Sequence, residues 1–268
     1  MPKLAKRWKQ YMYTPTLEEI EQLSGQGNLA PIYREINADV ETPVSAYLKI
    51  SRPPYSFLLE SVEGSEQVAR YSFIGTDPVK VIRTGANEPD GAIDPLIAVE
   101  GLLADYTVVP TTYMQRFSGG AVGYLAYEAA NYFECLTSPQ KDTLKLPEAL
   151  FMLTTTFVEF DHVRHKMRVV SHVNLDTNDL AKEYSDAVCR IDDIIERLSS
   201  PLTENQSQDF TSTESPVKMS SNMSKEKYSD MIDQAKANIV AGEVIQVVLS
   251  QRLAYHTEAH PFDIYRTL

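Results

Sequence analysis

Apolar and polar residues alternate in several short segments of the first part of the chain, which is the period typical of β-strands. The alternation predicts strands over residues 30–36, 55–61, 70–75 and 79–83. The last two segments follow each other at a spacing typical of a hairpin. Two longer segments, 149–160 and 167–173, predict another hairpin, which turns through residues 161–166.

Spacings of three and four residues between apolar positions predict helices among these strands. Thr16 can cap a first short helix, which Gly25 ends. Pro43 is suited to the first turn of a second helix, which reaches Ile50. Residues 96–104 predict a third helix.

The clearest helical pattern runs from about Asp179 to Leu198, and Asp176, Thr177 or Asn178 could cap its start. Its apolar residues share one face: Leu180, Tyr184, Ala187, Val188, Ile191, Ile194, Ile195 and Leu198. Strands and amphipathic helices in this mixture predict an α+β fold with mixed or antiparallel sheets.

Apolar periodicity disappears after this helix. Residues 199–223 are rich in Ser and Thr and predict a flexible linker. A second unit begins at Ser224, with a helix that Gly242 ends, a strand over 244–251 and a further helix from Pro261. A unit this short cannot bury a core of its own, so we expect the sequence to be cut inside a domain.

These patterns divide the chain into four parts. An N-terminal extension with a short helix covers residues 1–27, and a folded domain covers 28–198. The linker at 199–223 leads to an incomplete domain at 224–268.

The charge of the chain excludes some classes of partner. The formal net charge is −12, from 25 Lys and Arg against 37 Asp and Glu. Such an acidic surface repels phosphate backbones and anionic lipids, so we expect neither nucleic acid nor a membrane as partner. No apolar run is long enough to span a bilayer, and the basic first residues are not followed by a signal-peptide core. Cys135 and Cys189 suit two reduced thiols, and we expect a cytoplasmic protein.

No familiar catalytic or metal-binding constellation stands out. His162 and His165 flank the predicted hairpin turn, where solvated polar residues are expected, and the cysteines are remote from them. The glycine-rich segment 119–123 lacks the spacing and the lysine of a phosphate-binding loop. The pattern favours close backbone packing at these glycines instead.

One candidate site lies at the end of the strand predicted over 55–61. Glu60 and Ser61 follow an apolar run, and Arg70 comes shortly after. A carboxylate can receive an ammonium group, while a hydroxyl and a guanidinium can receive a carboxylate, so the three could bind a zwitterion. Spacing alone favours the alternative, a strand end that turns into solvent.

A second candidate is Gln246, an amide on an otherwise apolar strand. The period of two places it on one face with Val244, Val248 and Ser250. A buried glutamine needs partners for its carbonyl and its amino group. From the pattern alone, a satisfied core amide is favoured over a functional role.

The sequence resembles the large, chorismate-utilising subunit of the anthranilate synthase family, component I. The resemblance is collinear from about residue 28 to 268. It is carried by the Leu-Leu-Glu-Ser motif at 58–61 and by segments 28–35, 41–49, 55–64, 70–75, 120–124 and 242–252. It implies the N-terminal half of the chorismate-utilising fold, with a regulatory domain at 28–198 and the beginning of the chorismate-binding catalytic domain at 224–268.

The resemblance also implies a reaction and its partners. Enzymes of this family bind chorismate and Mg²⁺, add ammonia at C2 with loss of the C4 hydroxyl, and eliminate pyruvate to give anthranilate. A glutamine amidotransferase subunit supplies the ammonia. The reaction belongs to tryptophan biosynthesis, and L-tryptophan, the end product of that pathway, inhibits the large subunit.

Site residues follow from the family motifs. The Leu-Leu-Glu-Ser motif lines the inhibitor site, which implies that Glu60 and Ser61 bind tryptophan, and Arg70 falls near a basic residue of the same site. Gln246 stands where relatives that make isochorismate carry a lysine that can activate water. An amide cannot serve as that base, so Gln246 suits ammonia as the nucleophile in the chorismate pocket.

Two alternatives stay open from the sequence. One is the large subunit of aminodeoxychorismate synthase, whose distinguishing segment would lie beyond Leu268. The other is a module that binds tryptophan or a partner without catalysis. The resemblance places the chorismate and Mg²⁺ ligands beyond residue 268, so we expect the chain by itself to be inactive.

Overall fold

The chain forms two compact units, Met1–Gln208 and Asp209–Leu268. The computed structural model describes residues 13–61, 70–111, 117–136, 144–202 and 219–268. The boundary between the units falls inside the predicted linker at 199–223, of which residues 203–218 lie outside the described residues. The linker and the four-part division therefore stay predictions.

The first unit confirms the α+β class. Its elements in chain order are α1 (Leu17–Glu21), β1 (Leu29–Asn37), α2 (Pro43–Ile50), β2 (Ser56–Leu59), β3 (Tyr71–Thr76), β4 (Lys80–Thr84), α3 (Pro95–Leu103), β5 (Gly120–Leu125), a 3₁₀-helix (Tyr127–Tyr132), β6 (Ala149–Thr154), β7 (Thr156–Asp161), β8 (Lys166–Asn174) and α4 (Leu180–Leu198).

A five-stranded antiparallel sheet in the order β1-β8-β7-β3-β2 forms the larger layer. Alternate residues of its strands, such as Val158 and Val169, are buried against Ile191 and Ile194 of α4 in one hydrophobic core. Ile20 of α1 is buried in the same core, so part of the predicted N-terminal extension packs with the residues that follow it.

A three-stranded antiparallel sheet in the order β4-β6-β5 forms a second layer. Ile82, Leu102 and Leu153 form the core between this sheet and α3. The hairpin predicted from segments 70–75 and 79–83 is wrong, because β3 and β4 belong to different sheets.

The chain passes between the two sheets at two places. Asp77 lies between β3 and β4 with φ of 50°, a conformation that turns the chain out of the first sheet. The segment predicted as one strand over 149–160 is interrupted at Thr155, with β6 in the smaller sheet and β7 in the larger. The hairpin through residues 161–166 is confirmed as β7–β8.

Helix starts follow the local sequence closely. Thr16 forms a capping box at α1, as predicted, and Thr42, just before the predicted Pro43 start, forms one at α2. α4 differs, because its cap is Asp179, whose side chain accepts from the Lys182 N–H at 3.0 Å. The predicted caps are wrong since the residues before Asp179 form turns instead, with Thr177 Oγ1 accepting from the Asp179 N–H.

The second unit consists of β9 (Ser220–Ser221), α5 (Lys225–Val240), β10 (Leu253–Ala254) and α6 (Pro261–Thr267), with β9 and β10 antiparallel. Ser224 caps the start of α5. The helix ends at Gly242, which has φ of 78°, and the backbone N–H groups of Gly242 and Glu243 donate to the carbonyl oxygens of Ile239 and Asn238. Both signals are confirmed. No helix among the described residues of either unit is long and apolar enough to cross a membrane.

The strand predicted over 244–251 is wrong. These residues form no strand, and nearly all are exposed. A strand needs a neighbour to pair its backbone N–H and C=O groups, and in the described part of this unit β9 pairs only with Leu253–Ala254. The alternating apolar pattern is present, but no strand among the described residues pairs with it.

Candidate ligand-binding site

The candidate site lies where β2 ends and β3 begins. Glu60 and Ser61 directly follow β2, and Arg70 directly precedes β3. These strands are antiparallel neighbours, with Leu59 opposite Phe73, so the end of one lies beside the start of the other. The structure therefore brings the predicted carboxylate, hydroxyl and cation to one end of the sheet, and each is half-buried.

Ser61 is held by a hydrogen-bond chain. Its backbone N–H donates to Ser72 Oγ at 3.1 Å, and Ser72 Oγ lies 2.8 Å from His162 Nε2. Ser72 is completely buried, so its hydroxyl needs these partners. The hydroxyl accepts from the Ser61 N–H, and the direction of its hydrogen bond with Nε2 depends on the tautomer of His162.

Arg70 is held by a two-point ion pair. Its Nε donates to Asp161 Oδ1 at 3.0 Å and its Nη2 donates to Oδ2 at 2.6 Å. The guanidinium carbon also lies 5.0 Å from the centre of the Tyr71 ring. The bond to Asp161 raises the pKa of Arg70, which stays charged. The planar guanidinium is thus fixed in orientation.

Asp161 accepts several hydrogen bonds at this end of the sheet. Besides Arg70, its Oδ1 accepts from the backbone N–H groups of Val163 and Arg164, each at 3.2 Å. Burial alone would raise the pKa of Asp161, but the bonds from Arg70, Arg164 and Val163 outweigh it and hold the pKa below its usual value. The carboxylate is ionised and ties Arg70 to the β7–β8 turn.

The residue types at this end of the sheet are those that suit a small zwitterion. A carboxylate such as that of Glu60 suits an ammonium group, and the hydroxyl of Ser61 and the guanidinium of Arg70 suit a carboxylate. Asp161 compensates the charge of Arg70 and uses two of its five N–H groups. Toward any further acceptor, Arg70 would therefore act through directed N–H groups more than through net charge.

Sequence reasoning missed three members of this cluster: Ser72, Asp161 and His162. Ser72 shares a strand face with Arg70 by the period of two, which was a usable signal. Asp161 and His162 are about 90 positions away in sequence, and only the pairing of β3 with β7 brings them close. His162 was expected in solvent but is half-buried against Ser72, whereas His165 is exposed as predicted.

Gln246 lies in the second unit. Its side chain is exposed, in the segment that forms no strand, so the predicted position on a buried strand face is wrong. Its predicted role toward ammonia does not depend on that face and stays a prediction.

The glycine-rich segment has the close packing that its sequence predicts. A Cβ on Gly123 would lie 1.8 Å from the Leu150 carbonyl oxygen, and a Cβ on Gly119 would lie 2.7 Å from the Thr154 carbonyl oxygen. Gly119 also has φ of 88°, which side chains rarely adopt. β5 therefore needs these glycines to lie against β6.

Potential metal ligands do not converge. In the described ranges, no group of three or more His, Cys, Asp and Glu side chains could hold a metal ion. Cys135 and Cys189 are both exposed and unpaired. The described residues therefore offer no ligand set for Mg²⁺, and the prediction that its ligands lie beyond residue 268 stays a prediction.

Comparison with known proteins agrees with the motifs. A family model described as "chorismate binding enzyme" matches residues 54–268. The probable anthranilate synthase component 1 of Schizosaccharomyces pombe is 38% identical over 259 residues, which cover 95% of this chain and 51% of that protein. Anthranilate synthase component 1 of Saccharomyces cerevisiae is 36% identical over 270 residues, with 95% and 52% covered.

The fold is also shared with a solved structure. The crystal structure of anthranilate synthase component I from Streptococcus pneumoniae TIGR4 aligns with a TM-score of 0.58 at 24% identity, covering 87% of this chain and 51% of that chain. The chain thus spans about half the length of the curated relatives that it matches. The resemblance of the motifs is confirmed, and this chain belongs to the family of chorismate binding enzymes.

Proposed function

We propose that this chain is the N-terminal part of an anthranilate synthase component I. The complete protein would bind chorismate, accept ammonia from a glutamine amidotransferase subunit and release pyruvate and anthranilate. The identity of 33–38% to three proteins of that name, over about 95% of the chain, supports this proposal. Two exposed, unpaired cysteines suit a reducing cytoplasm.

The role proposed for the first unit is to bind L-tryptophan as a feedback inhibitor. The observation that carries it is the meeting of Glu60, Ser61 and Arg70 at one end of the sheet, with Ser61 and Arg70 each held by hydrogen bonds. Glu60 would take the ammonium group of the amino acid. Ser61 and Arg70 would take its carboxylate.

The catalytic proposal is tested with the complete protein that carries this chain. Incubation with chorismate, Mg²⁺ and ammonium should give anthranilate, identified by its fluorescence and mass. Aminodeoxychorismate as the product would favour the large subunit of aminodeoxychorismate synthase, and no conversion would favour a module that only binds. The chain of residues 1–268 is the matched control, and we expect it to form no anthranilate.

The regulatory proposal predicts that Glu60→Ala and Ser61→Ala each weaken inhibition by tryptophan. A lost hydrogen bond to a charged group costs about 1.5–3 kcal/mol, so the inhibition constant should rise roughly 10- to 150-fold. The KM for chorismate should change much less. Ser199→Ala, which removes a hydroxyl at the end of α4, is the control. Unchanged inhibition in both site variants would contradict the proposed tryptophan site.

A further inference from the structure

We propose that Asp161 and His162, two consecutive residues of the β7–β8 hairpin, position the ligand-binding groups of the candidate site. Asp161 acts through Arg70, and His162 acts through Ser72 on Ser61. The inference rests on the proposed tryptophan site and adds residues from a distant part of the sequence to it. Neither residue needs to contact the ligand.

The connection begins in the backbone. Tyr71 and Asp161 are the last register pair between β3 and β7. Beyond this pair the His162 N–H donates to the Arg70 carbonyl at 3.0 Å, so the two strands stay joined where the site begins. Arg70 is thus tied to the hairpin through its main chain as well as through its side chain.

Asp161 links Arg70 to the hairpin turn. Its side chain is 10% exposed, against 33% for Arg70, so the pair has a sheltered acceptor and a more accessible donor. The Asp161 carboxylate accepts hydrogen bonds both from the guanidinium and from two backbone N–H groups at the start of the turn. A shift of the turn would therefore move the guanidinium as well.

His162 connects the same turn to Ser61. The imidazole contacts the buried Ser72 hydroxyl, which in turn holds the backbone N–H of Ser61. Loss of the Ser72 hydroxyl would release the main chain just after Glu60. The two branches therefore fix the donor and the acceptor sides of one site in advance, which lowers the conformational cost of binding.

The first test is Asp161→Asn and Ser72→Ala in the complete protein. Each should raise the inhibition constant for tryptophan about 2- to 30-fold, the range for residues that act through an intermediate side chain. The KM for chorismate should rise less than the inhibition constant does. A purely structural role would instead lower the melting temperature and leave the inhibition constant unchanged.

Asp192→Asn is the matched control. It breaks another Arg–Asp pair, Arg34–Asp192 at 3.1 Å, which joins α4 to β1 at the opposite edge of the sheet from β2. We expect it to lower the melting temperature without changing inhibition. If it weakens inhibition as much as Asp161→Asn does, general destabilisation explains both effects and the inference is overturned.

A double variant separates this inference from the proposed function. Arg70→Gln should weaken inhibition, and adding Asp161→Asn to it should weaken inhibition little further, because Asp161 acts through Arg70. Fully additive effects, or a normal inhibition constant in Asp161→Asn beside a raised one in Arg70→Gln, would overturn the positioning role alone. Unchanged inhibition in the Glu60, Ser61 and Arg70 variants would overturn the tryptophan site itself.

Discussion

Two buried titratable residues of the larger sheet lie in opposite electrostatic environments, one that favours the charged form of the side chain and one that favours the neutral form. Asp161 is surrounded by N–H donors that keep it ionised. His172 is 3% exposed, and its Nδ1 lies 2.8 Å from the Thr155 carbonyl oxygen, which accepts the ring proton. Burial lowers the pKa of His172 below its usual value. His172 is therefore a neutral core residue, while Asp161 is a charged structural anchor.

The lowered pKa of His172 predicts a loss of stability in mild acid. Below about pH 6.5 the unfolded chain binds a proton that the folded chain resists, so the free energy of unfolding falls as pH decreases through this range. The loss is at most about 1.4 kcal/mol per pH unit. Urea unfolding at pH 7.5 and 5.5 should show a smaller pH effect in His172→Gln than in the parent chain.

His165→Gln is the control for this measurement, because His165 lies exposed in the β7–β8 turn. It should leave the difference between pH 7.5 and 5.5 as in the parent chain. An equal pH effect in His172→Gln and the parent would show that His172 does not cause the acid sensitivity.

At the scale of elements, the passage between the two sheets determines where small residues are needed. β6 and β7 are separated only by Thr155, whose carbonyl oxygen accepts from the backbone N–H of His172 as well as from its ring. Gly119 lies against this junction, where an added Cβ would be 3.0 Å from His172 Cε1. The change of sheet at Thr155 thus depends on β8 and on the start of β5 together.

Gly123→Ala should strongly destabilise the smaller sheet. Its Cβ would overlap the backbone of β6, at 1.8 Å from the Leu150 carbonyl oxygen, and a backbone atom cannot move aside like a side-chain tip. Overpacking of this kind costs about 1–3 kcal/mol or more. Gly101→Ala in α3 is the matched control, since nothing lies within 4 Å of the added Cβ.

We expect Gly101→Ala to stabilise the chain by up to about 1 kcal/mol, because alanine restricts the unfolded backbone and favours helix. Thermal unfolding followed by circular dichroism compares the two variants. A melting temperature of Gly123→Ala equal to that of the parent would mean that β5 is not packed closely on β6.

Local signals in the sequence predicted local structure. The cap Thr16, the end of α5 at Gly242 and the hairpin through 161–166 were predicted from neighbouring residues, and the structure has each of them. Alternation also located the segments of β1–β4 and β6–β8, though not β5, but the pattern is the same in either sheet. The separation of β3 from β4 and the break at Thr155 depend on distant partners, which the period of two does not encode.

The candidate site shows the same limit. Glu60, Ser61 and Arg70 were grouped because they are close in sequence, and the antiparallel pairing of β2 with β3 places them at one end of the sheet. Asp161 was not, because its contact with Arg70 joins residues that are 91 positions apart. The strand predicted at 244–251 is wrong for a related reason, since its pattern is correct but the described part of the second unit offers it no paired neighbour.

At the scale of the whole molecule, the two units differ in how they are stabilised. The first contains a core with completely buried residues such as Phe157, Val169 and Ile191. In the described part of the second unit, residues 219–268, no residue is buried. The contacts described for its helices are caps, local hydrogen bonds and neighbouring side-chain pairs such as Phe262–Tyr265, whereas most helical stability in proteins comes from packing of an apolar face.

Hydrogen–deuterium exchange should therefore divide the chain at this boundary. In residues 1–268, the amides of α5 should exchange within seconds to minutes, because opening this helix breaks no buried packing. The amides of β7, β8 and α4 should exchange only with unfolding of the core. Helix α4 is therefore the internal control, because it is similar in length to α5 but packs on a buried core. Protection in α5 comparable to that in α4 would mean that α5 packs against an apolar surface, and would contradict the difference in stability between the two units.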